Sequence, residues 1–140
     1  MRLAVDTNVL VSAFLWQGTP GRLIDLAGEK EIALYTSKAL IDELAEVLQR
    51  AKLAKNVKAT GLSAAQLVRN FRRIATRVSA RKLTAQVSRD ADDDALLACA
   101  RAARADLIIS GDADLLVLKS FQDIPIVTAA AALLRIIAEA

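Results

Sequence analysis

Short apolar runs alternate along the chain with longer stretches in which apolar residues recur at helical spacing. Arg2 to Asp6, RLAVD, is an apolar run closed by a carboxylate and followed by Thr7 and Asn8, the pattern of a buried strand entering a turn. A helical stretch follows, broken near Gly18-Thr19-Pro20-Gly21 and resumed through RLIDLAGE, with Pro20 placed for a first helical turn. Glu31 to Tyr35 predicts a second strand. Thr36 or Ser37 then caps a long helix, SKALIDELAEVLQRAKL, with Leu40, Leu44, Val47, Leu48 and Ala51 in one stripe. A link around Asn56 to Gly61 leads to a further helix from Ser63, SAAQLVRNFRRIA, predicted to pair antiparallel with the preceding one. Arg77 to Leu83 carries a weak edge-strand signal. The run Asp90 to Asp94 opens a helix that reaches Arg104, because acids favour a helix N-terminus. Asp106 to Ser110 is a strand candidate, GDADLL turns into a short helix, Ile124 to Val127 makes a last strand and Ala129 to Ala140 a last helix.

Strands alternating with helices predict a central parallel sheet covered on both faces, since parallel strands need helical crossovers. In such a sheet ligands bind beyond the carboxyl ends of the strands, where strand order reverses. Asp6 and Asp112 both follow strands and belong on that edge. The chain of 140 residues matches one domain, 1–140, and can bury a core without disulfides. Its lone Cys99, in DALLACARAA, reads as a small buried hydrophobe. No apolar run is long enough to span a bilayer, and the opening MRLAVDTNVLVSAFLW, with Asp6 at its centre, does not have the form of a signal peptide. A cytoplasmic protein without a membrane partner is expected.

Charge changes this picture in two ways. Histidine is absent, which removes the commonest general base and transition-metal ligand. The many carboxylates, as hard oxygen donors, suit Mg²⁺ or Mn²⁺. The modest net charge of +3 also conceals a polarised chain: Arg50 to Arg89 holds 11 basic residues and no acid, and all 16 acids lie outside it. That segment either attracts phosphates or serves as a solvated face.

Four acidic positions stand out. A carboxylate ending a buried strand is costly unless hydrogen-bonded or bound to a cation, which singles out Asp6, although capping the next helix would also explain it. At about 100° per residue, Asp42 and Glu46 point away from the apolar stripe, whereas Glu43 lies at its border. Among the successive aspartates, Asp93 lies over Leu96, Leu97 and Ala100 on the packed face while Asp94 turns outward, and part of the run serves the helix dipole. Asp112 and Asp114 follow the strand DLIIS, where Gly111 would permit an unusual backbone angle; an isolated DxD of this kind commonly caps a helix.

These pieces resemble the PIN-domain nucleases, especially the toxin components related to VapC-like ribonucleases of bacterial and archaeal toxin–antitoxin pairs. The resemblance rests on VDTNVLVSAFLW, DELAEVL, RDADDDALLACARAARAD and IISGDADLL, in family order over nearly the whole chain. It implies a PIN-like three-layer α/β/α sandwich. By the same resemblance Asp6, Glu43, Asp93 and Asp112 match the metal-binding, catalytic acids, and Asn8, Ser110 and Asp114 match polar positions beside them. Asp90, Asp92 and Asp94 leave the third acid open by one position. The implied chemistry is hydrolysis of RNA phosphodiesters with Mg²⁺ or Mn²⁺, as the toxin of a type II pair, with a homodimer and a small antitoxin protein as partners.

Arg22, Arg69, Arg72, Arg73 and Arg77 are candidate phosphate contacts, and aromatic residues are too few and too apolar in setting to favour base stacking. Leu62, Leu67 and Phe71 belong either to a docking face or to internal packing. Two other functions compete: a non-catalytic RNA- or partner-binding module, and a phosphatase using Asp6 as nucleophile, although DTNV lacks the second Asp of a DxD nucleophile motif. A dinucleotide site is disfavoured because no GxGxxG follows the first strand.

Overall fold

The computed structural model describes residues 1–88 and 91–139. Arg89, Asp90 and Ala140, the ends of the basic segment, the acidic run's start and the last helix, lie outside the described residues. Six strands run β1 (Arg2–Val5), β2 (Ala33–Thr36), β3 (Ala75–Arg77), β4 (Leu107–Ile109), β5 (Ser120–Phe121) and β6 (Ile124–Val127). They form one sheet in the order β3-β2-β1-β4-β6-β5. Every neighbouring pair is parallel except β5 with β6.

The helices are α1 (Thr7–Leu15), α2 (Gly18–Gly28), α3 (Lys38–Leu48), α4 (Ala54–Ala59), α5 (Ala64–Ile74), α6 (Ala91–Ala103), α7 (Ala113–Leu116) and α8 (Ala129–Glu139). Strand alternation divides the core. Leu3 and Val5 of β1, with Leu107 and Ile109 of β4, face a cluster that includes Val9, Leu23, Leu44, Leu48, Leu67 and Phe71 from α1, α2, α3 and α5. Ala4 and Ile108 face the opposite way, onto Leu96, Leu97 and Ala100 of α6. This is the three-layer α/β/α sandwich the sequence implied.

Several expectations shift. The long helix ends at Leu48, and a short 3₁₀ turn (Ala51–Leu53) and α4 occupy the region expected as a link. That break lets Val57 fold back into the same core cluster as Val47 and Leu48. Strand β3 lies two residues earlier than predicted, and Val78 N continues its ladder by donating to Thr36 O at 2.8 Å. The two-residue β5 carries too little pattern to be seen in sequence. Leu67 and Phe71 are buried, Phe71 edge-on to Phe14 at 6.1 Å, so these two pack internally, whereas Leu62 is exposed. Gly111 does not take a positive φ; the left-handed residues around the α1–α2 break are Gln17 and Gly18.

The chain runs outward from β1 to β2 and β3, then returns to place β4 on the other side of β1. The strand order therefore reverses between β1 and β4, which opens a crevice at their carboxyl ends. Asp6 N donates to Ile109 O at 2.9 Å there, extending the ladder to the residue that carries the carboxylate.

Candidate active site

Asp6 ends β1 and caps α1, its Oδ1 accepting from Asn8 N at 3.4 Å. Its carboxyl is buried, and Oδ2 accepts from Ser110 Oγ at 2.7 Å. Ser110, fully buried just past β4, also accepts through Oγ from Asp112 N at 3.0 Å. One hydroxyl thus ties the ends of two adjacent strands together. Asp112 caps α7 by accepting from Asp114 N at 2.8 Å, so the local capping expected of a DxD pair is present as well.

The third acid comes from the opposite layer. Asp93 in the first turn of α6 is buried, accepts from Ser88 Oγ at 3.0 Å, and shares a hydrogen bond with the Asp112 carboxyl. Asp94 turns the other way, its carboxylate accepting from Val87 N at 3.1 Å and Ser88 N at 2.7 Å. The helical wheel separated these two neighbours in the same sense. Asp94 anchors the backbone of the segment before α6, and that segment in turn presents Ser88 to Asp93. No sequence signal singled out Ser88.

Crowding shows in the titration of the acids. Burial, the charge of Asp112, its hydrogen bond and the charge of Asp6 together push Asp93 up from 3.8 to about 7, against the opposing Ser88 bond. Burial also raises Asp6, opposed by its bonds from Ser110 and Asn8 and reinforced by the charge of Asp112. Asp6, Asp93 and Asp112 thus form one electrostatic unit. Glu43 is half-buried beside Leu40 on α3, and Leu40 packs with Leu97 and Ile108 in the α6-side cluster.

The donor set fits a hard divalent cation in kind, being anionic and all-oxygen, with charge in excess at short range. Its side chains are not pre-arranged as a cage, and among the described residues no three Asp, Glu or Cys groups are gathered as ready metal ligands. Instead Asp6 is held by Ser110, and Asp93 by Ser88 and Asp112. Cys99 takes no part, since burial pushes its thiol up to about 12.

The five candidate arginines separate by location. Arg22 lines a cavity with Met1, Glu31 and Ile32, residues that precede β1 and β2, and so lies at the amino edge of the sheet. Arg69, Arg72 and Arg73 are exposed on α5; because α5 runs directly into β3, its last turn brings Arg72 and Arg73 to the amino edge too. Arg77 ends β3 and sits at the carboxyl edge.

A doubly wound α/β/α protein whose switch point brings the half-buried Asp112 against two buried, mutually repelling carboxyls, Asp6 and Asp93, is the class this geometry defines. The PIN domain model matches residues 2–114, and the chain belongs to the PIN-domain family, whose members are typically nucleases. It is also 29% identical over 120 residues to an uncharacterized protein of Methanocaldococcus jannaschii, covering 85% of this chain and 76% of that one. Among the described residues no helix is long and apolar enough to cross a membrane.

Proposed function

We propose that this PIN domain hydrolyses RNA phosphodiesters with Mg²⁺ or Mn²⁺, acting as the toxin of a type II toxin–antitoxin pair. The observation that carries the reading is the convergence of Asp6, Asp93 and Asp112, close enough to push Asp93 up to about 7. Asp6, Asp93 and Asp112 are the residues that would hold the ion, and Glu43 would position a water or a second ion beside them. When bound, a divalent ion supplies positive charge opposite the phosphate oxygens and makes a nearby water more acidic. The chain's own part is to orient and to exclude solvent. Ser110 fixes the Asp6 carboxyl and the backbone of Asp112 together, Ser88 fixes Asp93, and release of the Asp93 proton frees a second carboxylate for the ion.

The test is cleavage of a mixed RNA pool with and without Mg²⁺ or Mn²⁺, comparing native protein with Asp6→Asn and Asp93→Asn. Cleavage should require the metal and fall by at least a hundredfold in both variants, and unchanged activity in both would defeat the site. The rival reading is a non-catalytic RNA- or partner-binding module. RNA binding without any metal-dependent cleavage, unaltered by Asp6→Asn, would select it. The toxin role and a homodimer have separate checks. Expression should arrest growth, co-expression of a small upstream-encoded protein should relieve that arrest, and the purified chain should sediment as a dimer.

A further inference from the structure

Beside the carboxylates lies a cavity of about 780 Å³, within the range that holds nucleotide-sized ligands. Its walls are the first turn of α3 with Lys38, the end of β3 with Arg77, the segment that follows with Lys82 and Gln86, and the first turns of α6 with Asp94 and Ala95. We propose that this cavity is a subsite for the ribose-phosphate backbone of the RNA next to the cleaved bond, with Lys38, Arg77 and Lys82 as its phosphate contacts. The proposal rests on the ribonuclease reading above.

Position supports it first. The cavity and the acidic site share a wall: Asp94 lines the cavity and holds Val87 N and Ser88 N, while Ser88 Oγ holds Asp93. Both lie at the carboxyl edge of the sheet, where β2 and β3 lead into Ser37 and Val78. A polyanion bound across the acids would continue into this space.

Charge supports it second. An acidic site needs nearby cations to hold a polyanion, and the cavity brings three together from segments far apart in sequence. Among the described residues Arg77 and Lys82 form no ion pair. Lys38 bonds Asp42 at 2.7 Å, but both side chains are largely exposed, and so exposed a pair is weak enough to exchange for a phosphate.

The lining also limits what is read. Ala39, Ala80, Ala91, Ala95 and Ala98 make an apolar surface, and among the described residues no aromatic side chain lines the cavity, so bases would be accommodated without stacking and with little sequence preference. Arg77 was one of five arginines that sequence could not rank; Lys38 and Lys82 had no signal, because only the fold brings them to Arg77.

The test is fluorescence anisotropy of a labelled single-stranded RNA 12-mer in EDTA, which prevents cleavage, across a range of KCl concentrations. The double variant R77A/K82A should bind about tenfold more weakly, with a salt slope shallower by about 0.7 per cation removed. Lys30→Ala, which removes one cation at the amino edge, should bind as native, with no change of salt slope, and R77K/K82R should keep affinity within about threefold. Native-like binding and slope in R77A/K82A would overturn the subsite, as would tighter binding of a labelled oligoglutamate peptide than of the RNA. Failure of the ribonuclease reading looks different. In that case RNA binding would depend on Arg77 and Lys82 while no metal-dependent cleavage appeared, and the cavity would stand as an RNA site. Cleavage that depends on Asp6 in a chain whose R77A/K82A variant binds as native would sink the subsite alone.

Discussion

Asp93 has a neutral-pH proton because it is buried beside two other carboxyls, and this makes stability depend on pH in a definite direction. Its folded value of about 7 lies above the ordinary 3.8, so between those values the folded chain keeps a proton that the unfolded chain has released. The contribution is complete below about pH 3.8 and is lost as pH rises to about 7. Asp6, also raised, acts in the same direction. Denaturation in EDTA should therefore show stability falling across this window, and Asp93→Asn, which mimics the protonated acid, should flatten the slope; a native slope in that variant would contradict the assignment. A bound divalent ion competes with the same proton, so Mg²⁺ or Mn²⁺ should raise the melting temperature more at pH 8 than at pH 5. Ser110→Ala removes both a donor to buried Asp6 and an acceptor for Asp112 N, and is expected to cost about 1–3 kcal/mol in urea unfolding. Because that bond lowers Asp6, its loss should also raise the Asp6 titration followed by NMR.

At the scale of elements, helix ends carry information that strands of two or three residues lack. Ser63 and Gln66 form a reciprocal capping box, Ser63 N donating to Gln66 Oε1 at 2.8 Å and Gln66 N to Ser63 Oγ at 3.1 Å, and the sequence placed the start of α5 correctly. Ser63→Ala should cost about 1 kcal/mol, read by the same urea titration. By contrast β3 and β5 are set by their neighbours β2 and β6, and the break after Leu48 has no Gly or Pro to mark it. The face of α6 is legible for a different reason: Leu96, Leu97 and Ala100 are all buried against Ala4 and Ile108, so the periodicity that defines the stripe also aims Asp93. Ala100→Leu should strain this layer by about 1–3 kcal/mol, lowering the midpoint of unfolding.

For the molecule as a whole, charge is separated into an acidic crevice and a basic middle segment, and the fold decides how much of the second serves the first. Metal removal should abolish cleavage while leaving metal-free RNA binding measurable, since the proposed phosphate contacts are side chains of the protein itself. The sequence by itself determined the alternation of strands and helices, hence the parallel sheet and the edge where Asp6 and Asp112 must stand. It also determined the inward choice of Asp93 over Asp94, because helical periodicity is a local property. Tertiary structure alone decided that Ser110 links Asp6 to Asp112, that Ser88 meets Asp93, and that Lys38, Arg77 and Lys82 share one cavity while Arg22 lies at the far edge. These are meetings between segments separated by strand crossovers, and no local pattern records which crossover brings which side chain to the acids.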